Sequence, residues 1–296
     1  MPELQILQPH QKDLGGGFVV RRLLPAAQRQ AVGPFVFFDH FGPIVAQPGD
    51  NHDVRPHPHI GLATVTYLFE GAMMHRDSSG AVQRIEPGAV NLMTAGRGIV
   101  HSERTPKDPL GTERRSHGLQ LWLAVPAEQE ESAPGFQHVA GSEIPACEIG
   151  GANAQVLARV LIGSAFGLVS PVKALSPTLY LDLNFAVASG AELAIPDAAA
   201  ERALYSADHD VELDGELVPA FTMVVLEPGT EPVLRAPRGA RVVVIGGAPL
   251  GPRCIVWNFV SSRKERIAQA QDDWEAQRFE RVPGETEFIP LPPRRP

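Results

Sequence analysis

At 296 residues the chain exceeds the usual ~100–200 per domain, so two domains or one large β-architecture are expected, with length enough to bury a core without staples. Its 44% hydrophobic and 20% charged residues are those of a soluble globular protein, and a net charge of −8 argues against a nucleic-acid surface built on bulk positive charge. Cys147 and Cys254 are the only cysteines, the N-terminus lacks the basic-then-apolar order of a signal peptide, and no apolar run approaches membrane-spanning length; a cytoplasmic protein is expected.

Gly15-Gly16-Gly17 reads as a turn before the strand candidate Phe18 to Leu24, which Pro25 stops. Phe35 to Gly42 is a dense aromatic run whose Phe residues suit a core, with Asp39 and His40 in surface or capping roles. Gly61 to Glu70 alternates as a strand and ends at Gly71. His75-Arg76-Asp77-Ser78-Ser79-Gly80 reads as a hairpin loop, which makes His75 a loop residue rather than a ligand. Glu86-Pro87-Gly88 turns the chain into Ala89 to Met93, and His117 to Val125 is a further strand ended by Pro126. Residues 127–151, acidic and small, read as a connection to a second domain. Beyond it come strand candidates at Gln155 to Gly163, Leu179 to Val187, Phe221 to Leu226 and Arg241 to Ile245, with a hairpin signal at Leu213-Asp214-Gly215-Glu216. Many short strands at this spacing predict a sandwich or barrel. Near the end, Ser262-Arg263-Lys264-Glu265 fits a capping box, and Ile267, Ala270 and Trp274 recur at helical spacing through about Arg278. The tail from Val282 to Pro293 is extended.

Chemistry concentrates between Arg55 and Glu103. Side chains two apart on a strand share a face, so His57 and His59 project together, as do His101 and Glu103. If the two segments pair, three imidazoles and one carboxylate converge, a donor set for a divalent first-row metal. One H-x-H alone would carry little weight; two such pairs in a glycine-punctuated β context carry more. Pro58 cannot donate into a ladder and requires an edge or a bulge. The Glu-Pro-Gly turn recurs at Glu227-Pro228-Gly229, but His209 is the only histidine beyond residue 138, so the second half is not expected to hold an equivalent metal.

Five motifs, Phe35–Gly42 (FVFFDHFG), Arg55–Gly71 (RPHPHIGLATVTYLFEG), Asn91–Glu103 (NLMTAGRGIVHSE), Gly118–Trp122 (GLQLW) and Trp257–Ser262 (WNFVSS), are together similar to those of the pirin family of the cupin superfamily. The resemblance covers nearly the whole chain. It implies an all-β fold of two tandem jelly-roll cupin barrels: a metal-binding domain over residues 1–135 and a degenerate one over 150–296 with the C-terminal helix and tail. It also implies one mononuclear iron on His57, His59, His101 and Glu103. Glu70, which matches a glutamate of the wider cupin pattern, is left as a strand-end residue.

Bacterial pirins resemble quercetin 2,3-dioxygenases. The implied activity opens the central ring of a flavonol with dioxygen and releases carbon monoxide, Glu103 serving as the base that takes the 3-hydroxyl proton. The rival reading is an iron-dependent, redox-sensing regulator that binds a protein partner without turnover. Zinc, manganese, nickel and copper are alternatives to Fe(II), since His and carboxylate donors select weakly among them. The expected partners are a flavonol-like aromatic molecule and O2, with no membrane and no direct nucleic-acid contact.

Overall fold

The computed structural model of the chain describes residues 4–14, 17–108, 111–150, 155–187 and 190–293; Gly15 and Gly16 of the expected glycine turn lie outside them. It is mostly β, with one C-terminal helix, and divides into two compact units. Neither unit is contiguous in sequence. One comprises Asp13–Val20, Phe41–Gly141 and Leu250–Pro296, the other Met1–Lys12, Arg21–His40 and Ser142–Pro249. The observed units therefore cut across contiguous domains ending at 135 and beginning at 150. The strand Phe35–Ala46 gives its first six residues to one unit and its last six to the other.

The unit built on residues 41–141 contains β1 (Val54–His59), β2 (Leu62–Glu70), β3 (Met73–Asp77), β4 (Val82–Ile85), β5 (Val90–Thr94), β6 (Ile99–Arg104), β7 (Arg114–Ala124) and β8 (Gly135–Val139). A four-stranded sheet runs β1-β6-β3-β4, and a longer one runs β8-β5-β2-β7. Strand β2 is rich in β-branched and aromatic residues and is bounded by two glycines that must be glycine. Gly61 and Gly71 have φ of +66° and +88°, and a Cβ on either would lie 2.0 or 2.2 Å from a backbone carbonyl oxygen, of Val260 and Arg115 respectively. Glu70 ends β2 at the surface, 3.5 Å from Arg115. β3 includes His75, so that residue is in a strand and not in the loop its Asp-Ser-Ser-Gly sequel predicted. β8 likewise replaces part of the expected connection.

The helix α1 (Lys264–Glu275) is part of this unit. Ile267, Ala270 and Trp274 bury their stripe against Ile60, Val100, Phe259 and Val282. No capping box forms. The Ser262 hydroxyl donates to Glu130 at 3.1 Å, and Arg263 stands at the N-cap without a side-chain cap bond. Buried Glu130 also receives the Ser261 hydroxyl at 2.8 Å and pairs with Arg253 at 3.0 Å, a charge that would be costly unpaired.

The other unit has a seven-stranded sheet in the order Gln5–Leu7, Met223–Leu226, Glu201–Ser206, Ala240–Gly247, Thr178–Phe185, Val156–Ile162, Ala146–Ile149. A four-stranded sheet joins Glu192–Ala194, Val233–Arg235, Val211–Leu213 and Glu216–Val218. The last two form the expected hairpin: Asp214 and Gly215 have φ of 50° and 82°, the two positive values a type I′ turn needs. Its apolar core cluster includes Val156, Val160, Leu183, Phe185, Leu204 and Val244. Asp39 and His40, expected at the surface, are buried here, paired with Arg22 at 2.7 Å and with the Tyr205 hydroxyl at 2.6 Å.

Candidate metal centre

Strands β1 and β6 run antiparallel with His57 opposite His101 and His59 opposite Ile99. β1 is the edge of its sheet, which is where Pro58 is tolerated. The pleat then sends His57, His59 and His101 to one side. Their ring centroids lie 4.3 to 5.0 Å apart, and the residues are 7%, 2% and 1% exposed. One nitrogen from each ring lies within 4.8 Å of the others.

The outer nitrogens fix the tautomers. Nδ1 of His57 stands 2.9 Å from the Arg55 carbonyl oxygen and Nδ1 of His59 stands 3.1 Å from that of Asn258. A carbonyl only accepts, so both Nδ1 atoms carry the proton and both Nε2 atoms present lone pairs. The Nε2 atoms of His59 and His101 then face each other at 3.1 Å in a buried site. That is close to the separation of two imidazoles bound at ~2.1 Å to one ion at right angles. At this distance the His59 lone pair takes either an Nε2–H of His101 or a cation shared with the His101 lone pair. A proton is a poor candidate, because burial lowers the pKa of all three rings: His57 to about 4, and His59 and His101 well below the ordinary histidine value, with the neighbouring imidazoles adding to the effect on those two. Neutral imidazoles with converging lone pairs are the form that binds a divalent ion, so the residues present fit a first-row metal.

Glu103 is not part of the three-histidine group. It follows His101 by two residues, but the β1–β6 register slips between them, from His57 opposite His101 to Val54 opposite Glu103. On its other side Glu103 pairs with His75. Burial pushes its carboxyl up to about 7. His209, in the other unit, is exposed beside Asp208.

The longer sheet supplies the wall opposite the histidines. Trp122 packs edge-on to His59 at 5.2 Å, and Phe136 stacks on His75 at 4.4 Å. The register strings Trp122, Thr64, Met93 and Phe136 into one cross-strand row, and Gln120, Thr66, Asn91 and His138 into the next. Thr66 donates to Gln120 at 2.8 Å, and His138 Nδ1 meets Asn91 Oδ1 at 2.7 Å. A separate cavity of about 910 Å³, lined by Met74, Arg76, Arg104 and Glu285 among others, is not built from the histidines.

The Pirin family model matches residues 17–123, and the model of the pirin C-terminal cupin domain matches residues 180–280. The chain belongs to the pirin family. A pirin-like protein of Caulobacter vibrioides is 46% identical across 97% of this pirin and 98% of its own length. A protein of Pseudomonas aeruginosa whose name carries a provisional quercetin 2,3-dioxygenase assignment is 40% identical across 92% of the chain and 84% of its own. Among solved structures, a quercetin 2,3-dioxygenase from Acinetobacter baumannii superposes with a TM-score of 0.89 at 34% identity, covering 99% of this pirin and 96% of that chain. The two matches thus mark two cupin-type domains, and the histidine cluster lies on residues matched by the first model.

Of the residues the sequence singled out, the structure assembles three histidines and leaves Glu103 beside them. Sequence reasoning missed His75, whose Nδ1 lies 3.4 Å from that of His101, and its neighbours Asp77 and Phe136. The signal for His75 was available: it is two residues from Asp77, as His57 is from His59.

Proposed function

We propose that this pirin is a mononuclear metal-dependent dioxygenase of the quercetin 2,3-dioxygenase type, with Fe(II) as its ion. His57, His59, His101 and Glu103 would hold the ion in a unit closed as a jelly-roll barrel. The observation that carries the reading is the buried trio of imidazoles whose Nδ1 atoms are hydrogen-bonded outward and whose Nε2 atoms converge. The relatives named for this reaction at 34% and 40% identity supply the chemical class. Among the described residues no helix is long and apolar enough to cross a membrane, and both free cysteines suit the cytoplasm.

When bound, the ion supplies Lewis acidity for an anionic substrate oxygen and an electron path to dioxygen. The rest falls to the chain. The Glu103 carboxylate accepts the flavonol 3-hydroxyl proton and returns it as the ring-opened product leaves. The row of Trp122, Met93 and Phe136 offers an apolar face to the aromatic rings, and Thr64, Thr66, Asn91 and Gln120 offer hydrogen bonds to ring hydroxyls.

The test is anaerobic purification with iron, then addition of quercetin and air with carbon monoxide and oxygen followed together. Equimolar oxygen uptake and carbon monoxide release in proportion to bound metal is expected. A fully metallated protein that consumes neither quercetin nor a panel of other flavonols overturns the proposal.

A further inference from the structure

We infer that His75 and Asp77 are positioning residues that set the tautomer and orientation of His101 as a metal ligand. The inference rests on the metal-site reading above and extends it to residues outside the three-histidine group.

Strands β3 and β6 pair so that His101 faces Asp77 and Glu103 faces His75, placing all four on one side of the sheet. Nδ1 of His101 lies 3.4 Å from Nδ1 of His75, and Nε2 of His75 lies 3.0 Å from Oδ2 of Asp77. The other carboxylate oxygen of Asp77 accepts from the Ser79 amide at 2.9 Å, the Ser79 hydroxyl at 2.6 Å and the Ala81 amide at 3.1 Å. Asp77 is fully buried and His75 is 5% exposed. The Phe136 ring lies 17° from parallel to that of His75 and fixes its plane.

With His75 neutral, these contacts admit one order of donors. A carboxylate only accepts, so the proton of the His75–Asp77 bond sits on His75 Nε2, and His75 Nδ1 is left as a lone pair. That lone pair takes the Nδ1–H of His101, which leaves Nε2 of His101 free to face His59. The chain of bonds therefore ends in a metal-directed lone pair, just as the carbonyls of Arg55 and Asn258 do for His57 and His59. The difference lies in what anchors each ring. Two ligands lean on backbone dipoles, whereas His101 leans, through a second imidazole, on a buried carboxylate that strengthens its donation. His75 is not a fourth ligand, because both of its nitrogens are engaged within this chain of bonds.

The experiment compares full-length wild type with His75→Phe, His75→Gln and Asp77→Asn, each stripped of metal and titrated with Co(II) against a chromophoric chelator. Visible d–d bands and circular dichroism are recorded alongside. Phe keeps the ring and its stack on Phe136 but has no nitrogen; the Gln side-chain oxygen can still accept from His101. A ~10–100-fold loss of Co(II) affinity and shifted d–d bands are expected for His75→Phe. Recovery towards wild type is expected in His75→Gln, and a smaller loss with shifted bands in Asp77→Asn. Wild-type affinity and unshifted bands in natively folded His75→Phe overturn the inference. If that variant does not fold, unchanged affinity and bands in Asp77→Asn overturn it instead. Failure of the metal-site reading looks different: wild type would bind no Co(II), or His57→Ala would bind it as wild type does, before His75 is touched.

Discussion

The two cupin-type units use similar sheets and fill them differently. In the unit of residues 142–249 an apolar cluster interleaves Leu181, Leu183, Phe185, Val242 and Val244 across neighbouring strands, and the buried charges Asp182 and Arg202 are bonded in place, to Arg241 at 2.7 Å and to the Pro196, Glu227 and Thr230 carbonyls. In the unit of residues 41–141, buried positions are given to His57, His59, His75, Asp77, His101, Thr64, Thr66 and Asn91. Each buried polar group costs free energy unless it is bonded, and a site that holds lone pairs face to face costs more. Such a histidine cluster suits binding, whereas the mainly apolar unit closes its buried charges Asp182 and Arg202 with partners inside the fold. Of the two, only the polar unit carries the histidine trio.

The comparison breaks most visibly at Glu103. Glu103→Gln keeps size and one oxygen donor but removes the charge that takes a proton. Quercetin turnover per bound metal is expected to fall ~10²–10⁴-fold. Equal turnover per metal would remove Glu103 from the proton transfer. On the other side of the comparison, Leu183→Ala in the apolar unit is expected to cost about 2–5 kcal/mol in urea unfolding, without changing metal content. A loss of metal in that variant would mean the units do not divide the work as described. His101→Ala sits between these. Its far-UV circular dichroism should match wild type, because the strands keep their own core, while its Tm no longer rises when metal is added. In wild type the rise corresponds to about 2.7 kcal/mol at a hundredfold excess over Kd.

The smallest expected effect concerns the tail that straps the outer side of the histidine-bearing sheet. Glu285 pairs with Arg104 and accepts the Ser102 hydroxyl at 2.8 Å, and Trp274 donates to the Ile289 carbonyl at 3.0 Å. The Arg104 hydrogen bond, with that from Ser102, holds the Glu285 carboxyl below its ordinary value. A depressed carboxyl stabilises the fold above its unfolded pKa of about 4.3, and that contribution is lost as pH falls through the folded value. Strap release, followed by Trp274 fluorescence, is therefore expected below pH ~4 and is worth on the order of 1 kcal/mol. A Glu285→Gln protein should lack this step. The same acid transition in both would place its origin elsewhere.

The histidine trio was legible because its two motifs follow the period of a strand, and strand pairing leaves few ways to bring them together. What the sequence hid was non-local. Asp77-Ser78-Ser79-Gly80 has turn chemistry and does turn, yet the strand before it extends to Asp77 and carries His75 inward. Gly135 to Val139 looks like connection by composition, and only its pairing with β5 makes it the edge strand of the longer sheet. α1 was readable as an amphipathic helix, but not which unit it would cover, since its partners Ile60 and Val100 lie about 160 to 210 residues earlier. Ser262 had the sequence of a cap, but its hydroxyl donates to Glu130 and accepts no amide of the helix, an outcome set by a residue 132 positions away that no local rule sees.

The most direct test of the central claim is the metal content of the anaerobically purified chain and of His59→Ala, by elemental analysis. One divalent ion per chain in wild type and its loss in the variant are predicted. Two ions per chain, or a single ion retained undiminished in His59→Ala, would contradict the account.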